Sequence, residues 1–129
     1  MASESRIGTS VGPYEEDVSA SRIRAFSLAV GARDSEQAPP TFLTIFRQGE
    51  FALLNNLGIS LSSILHGEQE FFHLTPIFAG DRLRYSTRLA EMVDKKSMRL
   101  ITFETQVHAL RGTETVSVGT SRTVIVVRE

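Results

Sequence analysis

Near Leu65 the spacing of apolar residues changes period, and no other feature of the chain limits its fold as much. Before that point apolar side chains recur every three to four residues; after it they alternate one by one. The first spacing lines one face of a helix and the second lines one face of a strand. Ile23, Phe26 and Val30 set the first helical stripe, within Val18 to Val30. Ser19 or Ser21 can cap its start by accepting a bond from an orphan backbone N–H. Gly31 suits its end, where a left-handed residue is needed. A polar loop, 32–40, follows and closes on Pro39-Pro40, whose fixed φ angles stop a helix running through. Phe42, Ile45, Phe46, Gly49, Leu53 and Leu57 then fall on one stripe, which predicts a helix from about Thr41 to Asn56, ended by Gly58. The small Gly49 on that stripe would let a sheet or a second helix approach closely.

Beyond the switch, Leu65 to Leu74 is expected to be a strand and Pro76 to Asp81 a turn. Leu83, Tyr85, Thr87 and Leu89 alternate with Arg82, Arg84, Ser86 and Arg88. Asp94-Lys95-Lys96 and Gly112 mark hairpin tips, with a strand around Ile101 to Ala109 between them and a last long one from Thr115 to Val127. Helices followed by a three-to-four-stranded antiparallel meander make an α+β layout. The 41–57 helix is the best candidate for the sheet's apolar cover. Residues 1–12, rich in Ser, Gly and Glu, are expected to be loose, leaving 13–129 as one domain. The uncharged run Thr123 to Val127 is expected at an edge that something must cover.

Composition narrows the chemistry. The 129 residues carry no cysteine, which excludes disulfide frameworks, zinc–thiolate sites and thiol nucleophiles. A net charge of −1, from 14 basic and 15 acidic residues, offers no long-range attraction to nucleic acid or to anionic membranes. Met1 to Gly12 lacks the apolar segment of a secretory signal, and no run reaches the roughly 20 apolar residues of a membrane span. The expectation is a cytoplasmic protein without cofactor or metal.

Residues 65–83 read Leu-His-Gly-Glu-Gln-Glu-Phe-Phe-His-Leu-Thr-Pro-Ile-Phe-Ala-Gly-Asp-Arg-Leu. This stretch resembles the "HGEQ-x-F … P-x-x-A-G-D-x-L" segment of the MaoC-like N-terminal dehydratases, a group that includes subunits of (3R)-hydroxyacyl-carrier-protein dehydratases. Val18 to Gly31 resembles the group's first helix, and Ala38-Pro39-Pro40-Thr41-Phe42 the start of its central one. The resemblance covers about residues 12–128. It implies a single hot-dog domain, in which an antiparallel sheet wraps a central helix. It also implies a homodimer or a heterodimer with a second hot-dog subunit, and an acyl-CoA or acyl-carrier-protein thioester held between the subunits.

Active members of the wider family carry Asp-x-Asn-Pro-x-His after the first helix. The carboxylate and the imidazole move protons as water is added to, or removed from, a 2-enoyl/3-hydroxyacyl thioester. In this chain Asp34 stands where the aspartate would, but five residues on there is Pro39, which cannot move a proton. The resemblance thus implies a substrate-binding subunit of an (R)-specific 3-hydroxyacyl dehydratase or enoyl hydratase that needs a catalytic partner. The alternatives are a silent acyl-thioester binding or scaffold protein, and a hot-dog thioesterase. Candidate catalytic residues are Asp34 and His66; candidate substrate contacts are Phe42, Phe46, Gly67, Glu68, Gln69, Arg82 and Arg84. Each also has a plainer reading. His66, His73 and His108 can be surface or structural histidines, and Glu68 and Glu70 a solvated strand face. Asp81 can be a turn cap, and the Phe and Leu stripe core. Arg82, Arg84 and Arg88 can be a solvated face or a fork-like grip on phosphates.

Overall fold

The structure is a computed structural model and describes residues 6–33 and 37–128. In chain order it runs β1 (Ser10–Asp17), α1 (Ala20–Val30), a 3-10 segment (Pro40–Ile45), α2 (Gln48–Asn56), a 3-10 turn (Leu61–Ser63), β2 (Ile64–His73), β3 (Arg82–Lys95), β4 (Met98–Arg111) and β5 (Glu114–Arg128). The caps expected for the first helix are present. The Arg22 backbone N–H donates to Ser19 Oγ at 3.1 Å, and Gly31 turns left-handed at φ 71°.

Five strands form one antiparallel sheet in the order β1-β3-β4-β5-β2. β3, β4 and β5 are the expected meander. Two expectations are corrected here. Residues 10–12, placed in the loose segment, belong to β1, which pairs with β3 and raises the strand count to five. Thr123 to Val127 is not an edge, because β5 lies between β4 and β2. The chain crosses over after α2 so that β2 reaches the far side of β5, and the edges are β1 and β2.

The expected helix over 41–56 is also broken. Its first turn is 3-10, and Phe46 leaves helical geometry at φ −90°, ψ 68° before α2 begins at Gln48. The two pieces serve different cores. Phe42, Leu43 and Phe46 join Ile23, Leu83, Tyr85, Val107 and Val118 in one apolar cluster. Leu53 and Leu54 join Leu89, Ile101, Phe103 and Ile125 in another. The Phe46 ring sits 5.9 Å from Phe42 and 5.0 Å from Tyr85, which draws it off the axis of α2. Gly49 permits the close approach read from the sequence: a Cβ there would overlap the Thr87 side chain.

A polar row divides the clusters. Thr87, Thr105 and Ser121 lie side by side across β3, β4 and β5, and Gln69 of β2 faces Thr123 of β5. Thr87 and Thr105 share a hydroxyl hydrogen bond at 2.7 Å, and Gln69 Nε2 donates to Ser121 Oγ at 2.6 Å. Thr123 Oγ1 donates to Glu50 Oε2 at 2.9 Å, and Arg47 donates to Glu50 Oε1 at 3.0 Å. Glu50 is only 3% exposed, so its charge needs these donors.

Candidate functional site

Behind α1 the chain meets the turn after β2. Gln37 bridges to Phe78, and the Ala38 N–H donates to the Ile77 carbonyl at 2.8 Å. The Leu74 and Thr75 N–H groups both donate to the Val118 carbonyl, at 2.9 and 3.2 Å. These bonds frame a cavity of about 300 Å³ lined by residues 37–40, Phe42, Leu43, residues 73–77 and Val118. That volume stands at the small end of the range for ligand sites, and its lining is mostly apolar, as such sites require.

The turn over 76–81 is held by one ion pair. Asp81 accepts from Arg111 Nε at 2.9 Å and Nη2 at 2.7 Å, and from the Phe78 N–H at 2.9 Å. The same Arg111 Nη2 donates to the Pro76 carbonyl at 2.8 Å, while the guanidinium lies 5.8 Å from the Phe78 ring centre. Burial alone would raise the Asp81 carboxyl; the bonds from Arg111 and Phe78 outweigh it and hold the group below its ordinary value. The turn-cap reading of Asp81 thus describes its contacts. In the neighbouring core, burial, with Glu16 adding to it, pushes the Tyr85 phenol up to about 12. It therefore stays a neutral donor, to Gln48 at 3.3 Å.

The structure brings some of the sequence candidates to the cavity and leaves others away from it. Phe42 and Pro39 line it; Phe46 is buried beside it in the aromatic cluster. Asp34 lies outside the described residues. His66 is exposed on β2, its ring nitrogen bonded to the Glu68 carbonyl at 3.2 Å. Gly67 forms the irregularity between His66 and Glu68, with its backbone against the Val124 carbonyl. Glu68 points outward with Glu70, and Gln69 points inward to Ser121. Among the described residues no three His, Asp or Glu side chains converge to hold a metal. Arg82 and Arg84 are outside the cavity lining. Arg82 pairs with Glu15 and Asp17, both at 2.8 Å, and Arg84 with Glu15 at 3.2 Å. Arg88 is likewise paired, with Glu104.

The imidazole in the cavity wall is His73, the last residue of β2. The sequence places it in a strand expected to end at Leu74, one residue beyond the observed end, but gives no sign that a cavity forms beside it. No Asp or Glu lines the cavity among the described residues.

A five-stranded antiparallel sheet curved over one central helix, with an apolar cavity at the end of an edge strand, defines a hot-dog domain of the dehydratase type. The model of the FAS1-like, dehydratase domain region matches residues 5–118, and the chain belongs to that family. It is 32% identical to a UPF0336 protein of Saccharopolyspora erythraea over 78 residues, 58% of this chain and 50% of that protein, so the match spans half of that relative's length. Its fold is similar to the HadBC (3R-hydroxyacyl-ACP dehydratase) complex of Mycobacterium tuberculosis, with a TM-score of 0.79 and 18% identity over 94% of this chain and 96% of that one. It is also similar to a MaoC-like dehydratase, with a TM-score of 0.78 and 20% identity over 97% of this chain but only 43% of that one. No helix among the described residues is long and apolar enough to cross a membrane.

Proposed function

We propose that the chain is an acyl-thioester-binding subunit of an (R)-specific 3-hydroxyacyl dehydratase or enoyl hydratase, and that it works beside a second hot-dog subunit carrying the acid–base pair. The observation that carries this reading is the apolar cavity with Pro39 in its wall, at the position where the resemblance calls for an imidazole. Water addition or elimination needs one group to take a proton and another to deliver one, and a proline supplies neither. The cavity can hold a short acyl chain, and its mouth lies at the end of β2, an edge strand. That edge exposes Leu65, Phe72 and, just past its end, Leu74, the last 72% exposed. A free strand edge with apolar side chains invites a partner strand. The similar folds point the same way: one is a two-component complex, and the other is a chain of which this domain spans less than half. Asp34, which the resemblance aligns with the family aspartate, is proposed as insufficient for catalysis without an imidazole. Gly67, Glu68 and Gln69 would lie at the subunit boundary, with phosphate contacts by Arg82 and Arg84 requiring their carboxylate partners to give way.

The test is hydration of crotonyl-CoA and of a longer enoyl-CoA by the purified chain alone, and again with a hot-dog subunit that has the intact Asp-x-Asn-Pro-x-His segment. The chain alone should show only residual turnover, and the pair robust turnover. Robust turnover by a verified assembly of this chain alone would overturn the reading.

A further inference from the structure

We infer that His73 is the group that distinguishes a 3-hydroxyacyl ligand from a saturated one in this cavity. The inference rests on the acyl-thioester reading above and adds a residue to it. Of the three histidines, His73 alone lines the cavity. The ring nitrogen of His66 is spent on the Glu68 carbonyl. Neither ring nitrogen of His73 has a hydrogen-bond partner among the described residues; its ring contact is with Phe71, centroid to centroid 6.0 Å. His73 is thus an exposed residue in the lining of a space that Phe42, Leu43, Ile77 and Val118 keep apolar, and its imidazole is free of protein partners among the described residues.

That arrangement treats two ligands differently. A saturated acyl chain meets the apolar walls of Phe42, Leu43, Ile77 and Val118 and gains no hydrogen bond from residue 73. A chain with a hydroxyl on its third carbon must lose water to enter, and an unpaired hydroxyl in an apolar site is costly. One neutral imidazole nitrogen can accept from that hydroxyl, or the other can donate to it, and either restores the lost bond. Net of desolvation, one such bond corresponds to about fivefold to tenfold in affinity. The role is one of specificity: it needs no proton to be moved, and it leaves acid–base chemistry to the partner subunit. The backbone around His73 is fixed, since β2 pairs His73 with Gly119 and the next N–H bonds to Val118. The ring thus stands on a strand end and not on a free loop.

The experiment measures binding of (R)-3-hydroxybutyryl-CoA and of butyryl-CoA to the full chain by titration calorimetry. The wild type should prefer the hydroxy compound by about fivefold to tenfold. His73→Phe should bring that ratio to about one, whatever its effect on the two affinities taken singly, and His73→Gln, which keeps a donor and an acceptor, should retain most of it. A ratio of about one in the wild type, or an unchanged ratio in a folded His73→Phe, overturns the inference and leaves the thioester reading standing. Binding of neither compound overturns the thioester reading and the inference with it.

Discussion

Arg111 holds Asp81 with two parallel hydrogen bonds, Nε to Oδ1 at 2.9 Å and Nη2 to Oδ2 at 2.7 Å, across thirty positions of sequence. The Ala-Gly-Asp turn after β2 is thereby tied to Pro76 of the cavity wall, since the guanidinium also donates to the Pro76 carbonyl. Arg111→Ala should destabilise the fold by about 1–3 kcal/mol, because it strips a largely buried carboxylate of its charged donor. Arg111→Lys should recover only part of that loss, since an ammonium cannot reproduce the planar fork. Urea unfolding of the three proteins checks both statements; equal midpoints would show that the pair contributes nothing.

The same pair has a pH signature. The Asp81 carboxyl is held below its ordinary value in the folded chain, so its contribution is fully present above the unfolded value of about 3.9 and is lost as pH falls through the folded one. The stability gap between wild type and Arg111→Ala should therefore be constant from pH 7 to pH 5 and shrink below about pH 4. A gap that widens on acidification would contradict the sign.

Gly49→Ala should cost about 1–3 kcal/mol, the usual penalty of overpacking, because the new methyl overlaps the Thr87 side chain. Thr87→Gly in the same chain, which removes both the Oγ1 and the Cβ that the new methyl would overlap, should restore part of the loss, a coupling expected of two residues in contact. Thermal unfolding of the single and double variants measures it; strict additivity would mean that α2 relieves the clash by shifting elsewhere.

At micromolar concentration the chain should sediment as at least a dimer. The free edge of β2 with its exposed Phe72 is the surface involved, and Phe72→Lys should weaken the assembly, as charge on an edge strand discourages pairing. A wild-type mass of 14.3 kDa alone would remove the shared-sheet arrangement.

Where the chain's local pattern is bound to geometry, the sequence was sufficient. Ser19 and Gly31 end α1 because orphan N–H and C=O groups need partners wherever a helix stops. Leu83, Tyr85, Thr87 and Leu89 face inward because a strand turns alternate residues to opposite faces. What escaped was decided by neighbours distant in sequence. The expectation from sequence is a loose segment over 10–12 and no element over 13–17; with Gly12-Pro13 and three acidic residues, Ser10–Asp17 becomes a strand because β3 offers an edge, with an irregular register between Val11 and Tyr14. Thr123 to Val127 looked like an edge because nothing local reveals that β2 crosses over to cover it. The break at Phe46 is hidden because both halves of the apolar stripe fit one helical period while facing different clusters. His73 reads as a surface or structural histidine for a similar reason: Pro39 and Phe42, more than thirty residues earlier, line the same cavity.

The row of Thr87, Thr105, Ser121 and Thr123 gives the two ends of the sheet separate histories. Substitutions at Phe42, Leu43 or Ile77 alter the cavity, and the hydroxyl row stands between them and the Leu53, Phe103 and Ile125 cluster. Changes that share no contacts combine almost additively. A lineage of such domains can therefore reshape its cavity at one end, while the other end bears the constraint of remaining folded.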